Sequence, residues 1–378
     1  MMVVVLGSGQ LAQMTYLAGV PLGIQVVAVD PVNNTVVHPV EKNILSLSVS
    51  DAFNQAAAIT AEFEHLPAAL LTQAHATGKL HPSAEAIQTG GDRLKEKHLL
   101  DVLGINNCAY VPIFTVDELD SAFASIGPEL IIKTSKDGYD GYGQFRVNDA
   151  ESLASVKTEL AQHDFKRNPL IAEQKSKFDR EVSLVGARNG QGEIVCYPLA
   201  ENLHFQGQLR VSLAPAPRVS DSVQQQAEIA FKALAEKLDY RGILAIEFFQ
   251  VGDTLLVNEI APRVHNSGHW TQQGTDFSQF ENHLRAVVDL PLGRSHTSSV
   301  TTMINLIGCE KTIALQVADL GGHLHWYGKD VRAKRKVGHV NFTANSVEDS
   351  IQQLKAVEAL GHANMFPLID KVIADLSA

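Results

Sequence analysis

Apolar residues run unbroken through MVVVL (2–6) and QVVAV (25–29), and a third short run occupies 57–61. Between them the apolar spacing turns helical, near 9–18 and 67–77. Continuous apolar runs suit strands covered on both faces, and their alternation with helices predicts a small parallel α/β domain. Residues 81–105, HPSAEAIQTGGDRLKEKHLLDVLGI, then predict a capped helix. Its charges lie on one face and Leu99, Leu100 and Leu103 on another, and a domain boundary falls close to it.

Beyond that boundary the pattern turns β-rich. ELIIKTS (129–135), PLIAEQ (169–174), DREVSLVGAR (179–188) and EIVCYPLA (193–200) read as strands. Residues 221–237 read as a helix, followed by strands at 243–251 and 254–260 with Gly252-Asp253 as a hairpin turn. Strands near 300–307 and 337–343 and a final helix around 346–360 make a smaller C-terminal unit. The stretch ENLHFQG (201–207) lies mid-chain between strand-like segments and reads as native sequence. No internal repeat or low-complexity segment is present.

The chain has 378 residues, long for one hydrophobic core, so two or three domains are expected. Its 45% hydrophobic and 19% charged content is that of a folded protein. A formal charge of −11 argues against general affinity for nucleic acid or an anionic membrane. Cys108, Cys196 and Cys309 show no paired spacing, which excludes a disulfide framework or a structural zinc site and suits a reducing compartment. The start, MMVVVLGSGQ, lacks a basic leader region, and no apolar run reaches about 18 residues. A cytoplasmic location is expected.

Six stretches carry chemistry. GSGQLAQM (7–14) follows the first strand with glycines at 7 and 9 and Ala12 in the third small position, and QVVAV ends at Asp30. That is the spacing of a dinucleotide fingerprint, a strand–turn–helix able to cradle phosphate, and it leaves a nicotinamide oxidoreductase open. Lys133 ends a strand and precedes glycines 138, 141 and 143. The lysine comes before the loop, so a P-loop is excluded, but backbone N–H groups there could close round phosphate; an ordinary hairpin would look the same.

In AEQKSKFDREVS, Glu173 closes one strand and Glu181 opens the next, where a Glu-Gln pair could meet an adenine edge and ribose hydroxyls. Glu247 sits within an apolar strand, LAIEFFQ, where a lone carboxylate is costly, and Glu259 sits on the next. A turn at 252–253 would bring the two together, able to take a hard cation such as Mg²⁺. Lastly, Arg263, His265, Asn266, Ser267 and His269 crowd NEIAPRVHNSGHWT (258–271), and YGKDVRAKRKVGHVN (327–341) concentrates cations in an acidic chain. Arginines in such loops suit carboxylate or phosphate.

Taken in order, GSGQLAQM, EFEHLP, DRLKEKHLL, IIKTSKDGYDGYGQ, EQKSKFDREVS, ENLH, NEIAPRVHNSGHWT and YGKDVRAKRKVGHVN resemble the ATP-grasp superfamily. Within it they most resemble the 5-(carboxyamino)imidazole ribonucleotide synthetase family of purine biosynthesis. The resemblance spans nearly the whole chain. It implies an α/β and α+β protein: a Rossmann-like domain (1–96), an ATP-grasp domain with a glycine-rich lid (97–292) and a small C-terminal domain (293–378).

It also implies that Arg93, Lys133 and the loop Gly138, Tyr139, Asp140, Gly141, Tyr142, Gly143 and Gln144 contact ATP phosphates. Glu173, Gln174, Lys175, Ser176 and Glu181 would hold adenine and ribose, bordered by His204 and Asn258. Glu247 and Glu259 would bind Mg²⁺. Tyr139, Asp140, Arg263, His265, Arg335 and Lys336 would face bicarbonate or 5-aminoimidazole ribonucleotide, and Gln10 would reach the ribonucleotide. The implied reaction is carboxylation of the exocyclic amine through carboxyphosphate, with a homodimer as the assembly. Ser8 and Ala12 stand where the family's first loop has glycines, Val264 where it has proline and Trp270 where it has tyrosine; none removes a charged ligand. A formate-using glycinamide ribonucleotide transformylase and a non-catalytic nucleotide-binding regulator remain rivals.

Overall fold

The computed structural model describes residues 1–136, 138 and 143–377. Its N-terminal sheet is built on Met2–Leu6, flanked in parallel by Gln25–Asp30 and Ala58–Ala61, with Thr35–Val37 antiparallel at one edge. All five residues of MVVVL are buried because both faces are covered. Val4 and Leu6 join a cluster with Ile59, Leu70 and Leu71. Val3 and Val5 instead meet Leu284 and Val287 of a helix far along the chain, Gln279–Val287.

That helix also carries a polar link. Ile243 N–H donates to His283 Nδ1 at 3.0 Å, which leaves Nε2–H to donate to Thr60 Oγ1 at 2.8 Å. Burial lowers the His283 pKa to about 4, so the folded protein keeps the ring neutral. The stability this provides is full above pH 6.5 and declines as pH falls from 6.5 toward 4. The shift corresponds to on the order of 3 kcal/mol. Thermal melts between pH 7 and 4 should show this loss, and His283→Asn should flatten that part of the profile.

The central sheet holds nine strands among the described residues. The order is Thr254–Ala261, Gly242–Val251, Arg180–Arg188, Ala200–Phe205, Gln208–Ala214, Val300–Ile307, Lys336–Ala344 and His323–Trp326, with Ile194–Cys196 beside Arg180–Arg188. The C-terminal strands therefore extend this sheet, through the pairing of Val211 with Ile304. A separate four-stranded antiparallel sheet, Tyr110–Ile113, Leu170–Gln174, Leu130–Thr134 and Gln144–Val147, is backed by Leu119, Leu153 and Val156 of two helices, Glu118–Ile126 and Ala150–Glu159.

Several expected elements differ. The helix expected over 81–105 is two helices, Ala84–Gly90 and Arg93–Val102, with Asp92 capping the second through Leu94 N–H at 3.1 Å. EIVCYPLA is a strand at Ile194–Cys196 and then not again until Ala200, which opens the strand Ala200–Phe205; ENLHF, expected to lie between strands, is thus itself in one. The helix Val347–Glu358 is followed by another, Ile369–Ser377, whose apolar face joins the C-terminal core through Ile369 and Val372. The helix Asp221–Lys237 matches its expected bounds, since Ser220 caps it and Val223, Ala227, Phe231 and Leu234 face the sheet. No described helix is long and apolar enough to cross a membrane.

Candidate active site

A cavity of about 1160 Å³ runs between the four-stranded sheet, the central sheet and the carboxyl ends of the N-terminal strands. Its metal-binding candidates lie on one hairpin. Gly252, at φ +56°, makes the tight turn, and Glu247 then pairs directly with Glu259, so the two carboxylates share a face. Burial, and then the charge of Glu259, push the Glu247 pKa up to about 7 despite His204 and Arg263 nearby. Glu259 also meets Arg93 Nη1 at 3.4 Å. Two hard oxygen donors that repel each other, one of them largely buried and the other open to the cavity, fit a divalent cation. Among the described residues no group of three acidic, His or Cys side chains could hold a metal by itself. A two-carboxylate site fits an ion whose remaining ligands are phosphate oxygens and water.

Around this pair, His204 Nδ1 lies 2.9 Å from Glu181 Oε2. Burial opposes its charge, yet Glu181, Glu247 and Glu259 hold its pKa above the ordinary value. Phe178 and Phe249 stack at 4.4 Å and 11° on the cavity wall, a flat apolar surface. Lys133, Gln144 and Gly138 face the cavity from the four-stranded sheet and its loop, and Asn258 from the hairpin.

At the other end the wall is basic. Arg263 Nε lies 2.8 Å from Glu64 Oε1, and Arg335 and Lys336 also line the space. His265 Nδ1 accepts the Ser267 N–H at 3.3 Å, placing the neutral ring's proton on Nε2. Burial, then the cations Arg263, Lys336 and His204, hold its pKa well below the ordinary value. Gln10 Oε1 accepts from Lys329, which ties the first loop to the C-terminal basic stretch.

The structure corrects three expectations. The first loop is not an open phosphate cradle: Glu62 accepts Gly9 N–H at 2.5 Å and Leu11 N–H at 2.9 Å, occupying the helix N-terminus itself. A Cβ at position 9 would stand 2.3 Å from Glu62 Oε1, so a larger residue there would push the carboxylate out of its two hydrogen bonds. Asp30 is engaged locally, accepting from Val32 N–H at 2.9 Å and Asn33 Nδ2 at 2.7 Å. Glu173 does not present an exposed edge to adenine: it is buried, paired with Lys133 and, at 3.3 Å, with Lys97. Burial alone would raise its pKa, but Lys133 and Lys97 bring it down to about 2.

Gln174, Lys175, Ser176 and Gly143 likewise do not line the cavity; Lys175 meets Glu129 at 3.3 Å and Ser176 Oγ meets Cys108 Sγ at 3.1 Å. Tyr139, Asp140, Gly141 and Tyr142 lie outside the described residues. Sequence reasoning did not assign Glu62, Glu64 and Lys329. A signal for the first two was their place directly after a parallel strand, at the carboxyl end where such sheets bind ligands.

A lid-like small sheet over a large antiparallel sheet, with a carboxylate pair and a cavity-facing lysine between them, is the architecture of an ATP-grasp enzyme. The ATP-grasp domain family matches residues 98–280, the ribonucleotide synthetase pre-ATP-grasp domain 1–90, and the phosphoribosylaminoimidazole carboxylase C-terminal domain 301–353. The N5-carboxyaminoimidazole ribonucleotide synthase of Vibrio cholerae is 48% identical, with 100% of both chains covered, and that of Escherichia coli is 40% identical over 94% of each. The crystal structure of the Thermus thermophilus synthetase superposes with a TM-score of 0.83 at 38% identity, covering 95% of this chain and 98% of that one. A structure of the Aspergillus clavatus enzyme with ADP and 5-aminoimidazole ribonucleotide gives 0.82 at 28% identity, covering 95% and 98%. The chain belongs to the N5-carboxyaminoimidazole ribonucleotide synthase family, ATP-grasp ligases that carboxylate 5-aminoimidazole ribonucleotide in purine biosynthesis with consumption of ATP.

Proposed function

We propose that this chain carboxylates 5-aminoimidazole ribonucleotide with bicarbonate as the carbon source, and that the two ends of the cavity divide the work. The observation that carries the reading is one cavity with the Glu247–Glu259 pair among nucleotide-sized walls and the Arg263–Arg335–Lys336 wall beyond. Adenine would lie against Phe178 and Phe249, with Glu181 and His204 at the ribose. Arg93, Lys133 and the loop 138–144 would hold the phosphates. Mg²⁺ held by Glu247 and Glu259 would neutralise charge on the β- and γ-phosphates.

A bicarbonate oxygen attacks the γ-phosphorus, the bond to the β-phosphate oxygen breaks, and ADP leaves with carboxyphosphate formed. The exocyclic amine of the ribonucleotide then takes the carboxyl carbon, directly or as released CO₂, losing a proton as inorganic phosphate departs. Arg263 fixes the anionic reactant, and His265, neutral with its proton on Nε2, donates to it without adding a charge. Arg335, Lys336 and Lys329 hold the substrate phosphate, with Gln10 beside them. Tyr139 and Asp140 belong to the loop that would shield carboxyphosphate from water.

The family resemblance supports a homodimer, which light scattering at twice the chain mass would reveal, and a cytoplasmic location. The route through carboxyphosphate is tested with ¹⁸O-bicarbonate. One labelled oxygen should appear in inorganic phosphate per turnover; unlabelled phosphate would overturn the first step.

A further inference from the structure

The side chain of Lys97 is 1% exposed, unusual for an ammonium. Its Nζ lies 3.3 Å from Glu173 Oε1 and donates to the Val257 carbonyl at 3.4 Å. The other carboxylate oxygen, Glu173 Oε2, takes Lys133. The site thus holds two lysines and one carboxylate, a net of +1. Lys133 alone of the three faces the cavity, with Lys97 and Glu173 behind it.

The charges around this triad cancel in pairs. Arg93 meets Glu259 at 3.4 Å, and Lys136 meets Asp92 at 3.4 Å. Glu96, beside Lys97 on the helix, accepts Ile260 N–H at 2.9 Å, and its pKa, raised by burial against the pull of Lys97, is about 7. It therefore offsets the triad only in part. A Lys133–Glu173 pair without Lys97 would be neutral, and the carboxylate would draw the whole of its attraction from the one ammonium a phosphate needs.

We infer that Lys97 is a positioning residue for the nucleotide: it occupies one oxygen of Glu173, so that the triad presents a net positive charge through Lys133 to the ATP phosphates. This rests on the reading of Lys133 as a phosphate ligand. Lys97 touches no nucleotide. It joins the helix Arg93–Val102 to the small sheet through Glu173 and to the central sheet through Val257, so Lys133 is held against both.

The test is a charge cycle read as ATP dissociation constant and KM, with kcat at saturating ATP. Lys97→Met should weaken ATP binding about tenfold or more, with kcat within about twofold. Lys97→Arg, which keeps the charge, should bind within about threefold of the parent. The double variant K97M/E173Q leaves Lys133 as the only charge, again +1, and should recover most of the lost affinity. A purely structural role for Lys97 would lower the melting temperature of K97M, with ATP binding weakened only in step with that loss; native melting with weakened ATP binding is the expected result.

Parent-like ATP binding in K97M, or no recovery in K97M/E173Q, overturns the inference. If K97M fails to fold, K97M/E173Q and K97R decide it, and weak ATP binding by both with native melting overturns it as well. Lys133→Met is the control for the underlying reading. If it leaves ATP binding intact, that reading fails; if it weakens binding while K97M does not, only the inference fails.

Discussion

Glu259→Gln is expected to lower substrate-dependent ADP formation on the order of a thousandfold while the nucleotide-free protein melts at the same temperature or higher. The two effects have one cause. Glu247 and Glu259 face each other across the hairpin, and burial together with the Glu259 charge raises Glu247 to about 7. Removing one carboxylate relieves that repulsion, so stability should not suffer, although Arg93 loses its 3.4 Å partner. The same change leaves one of the two anionic ligands proposed for Mg²⁺ as a neutral amide, which weakens the hold on the cation that would balance the γ-phosphoryl charge. Steady-state kinetics and differential scanning calorimetry of the variant check both halves. Near-normal turnover would refute the metal assignment, and a large drop in melting temperature would show the pair to be structural.

Glu62→Ala is expected to give the largest loss of stability among the cavity residues, about 3 kcal/mol and roughly 10 °C in the melting of the N-terminal region. The carboxylate accepts two main-chain N–H groups, from Gly9 and Leu11, at the start of the helix Gln10–Gly19. Both bonds are charge-assisted, and the helix dipole adds to them. Alanine would leave buried donors without a partner. Glu62→Gln keeps one good acceptor and should lose about half as much. Unchanged melting of Glu62→Ala would show that the cap carries no such stability. Its loss should also loosen the loop around Gln10, seen as a higher KM for the ribonucleotide.

The expectations that held are those in which local chemistry has one reading. MVVVL can only be a strand covered on both sides, and Ser220 with its apolar stripe fixes the helix 221–237. The hairpin at Gly252 brought Glu247 near Glu259 by counting, but counting alone sets Glu247 opposite Asn258; a register shift next to Glu247 makes Glu259 its partner. What escaped the sequence depends on long-range contact. Nothing near GSGQ shows that its N–H groups are already taken, since the acceptor, Glu62, is 51 residues beyond Leu11. Glu173 looked like an exposed strand edge because the two lysines that bury its charge come from another helix and strand. The break at Gly91 and Asp92 was hidden by strong helical spacing on either side of it.

The central claim is the identity of the substrates. Purified protein with ATP and Mg²⁺ is given bicarbonate and 5-aminoimidazole ribonucleotide, or formate and glycinamide ribonucleotide, and ADP release is followed in each case. ADP formation that requires both members of the first pair, and none above background with the second, is the expected result. Turnover with formate and glycinamide ribonucleotide alone would contradict it.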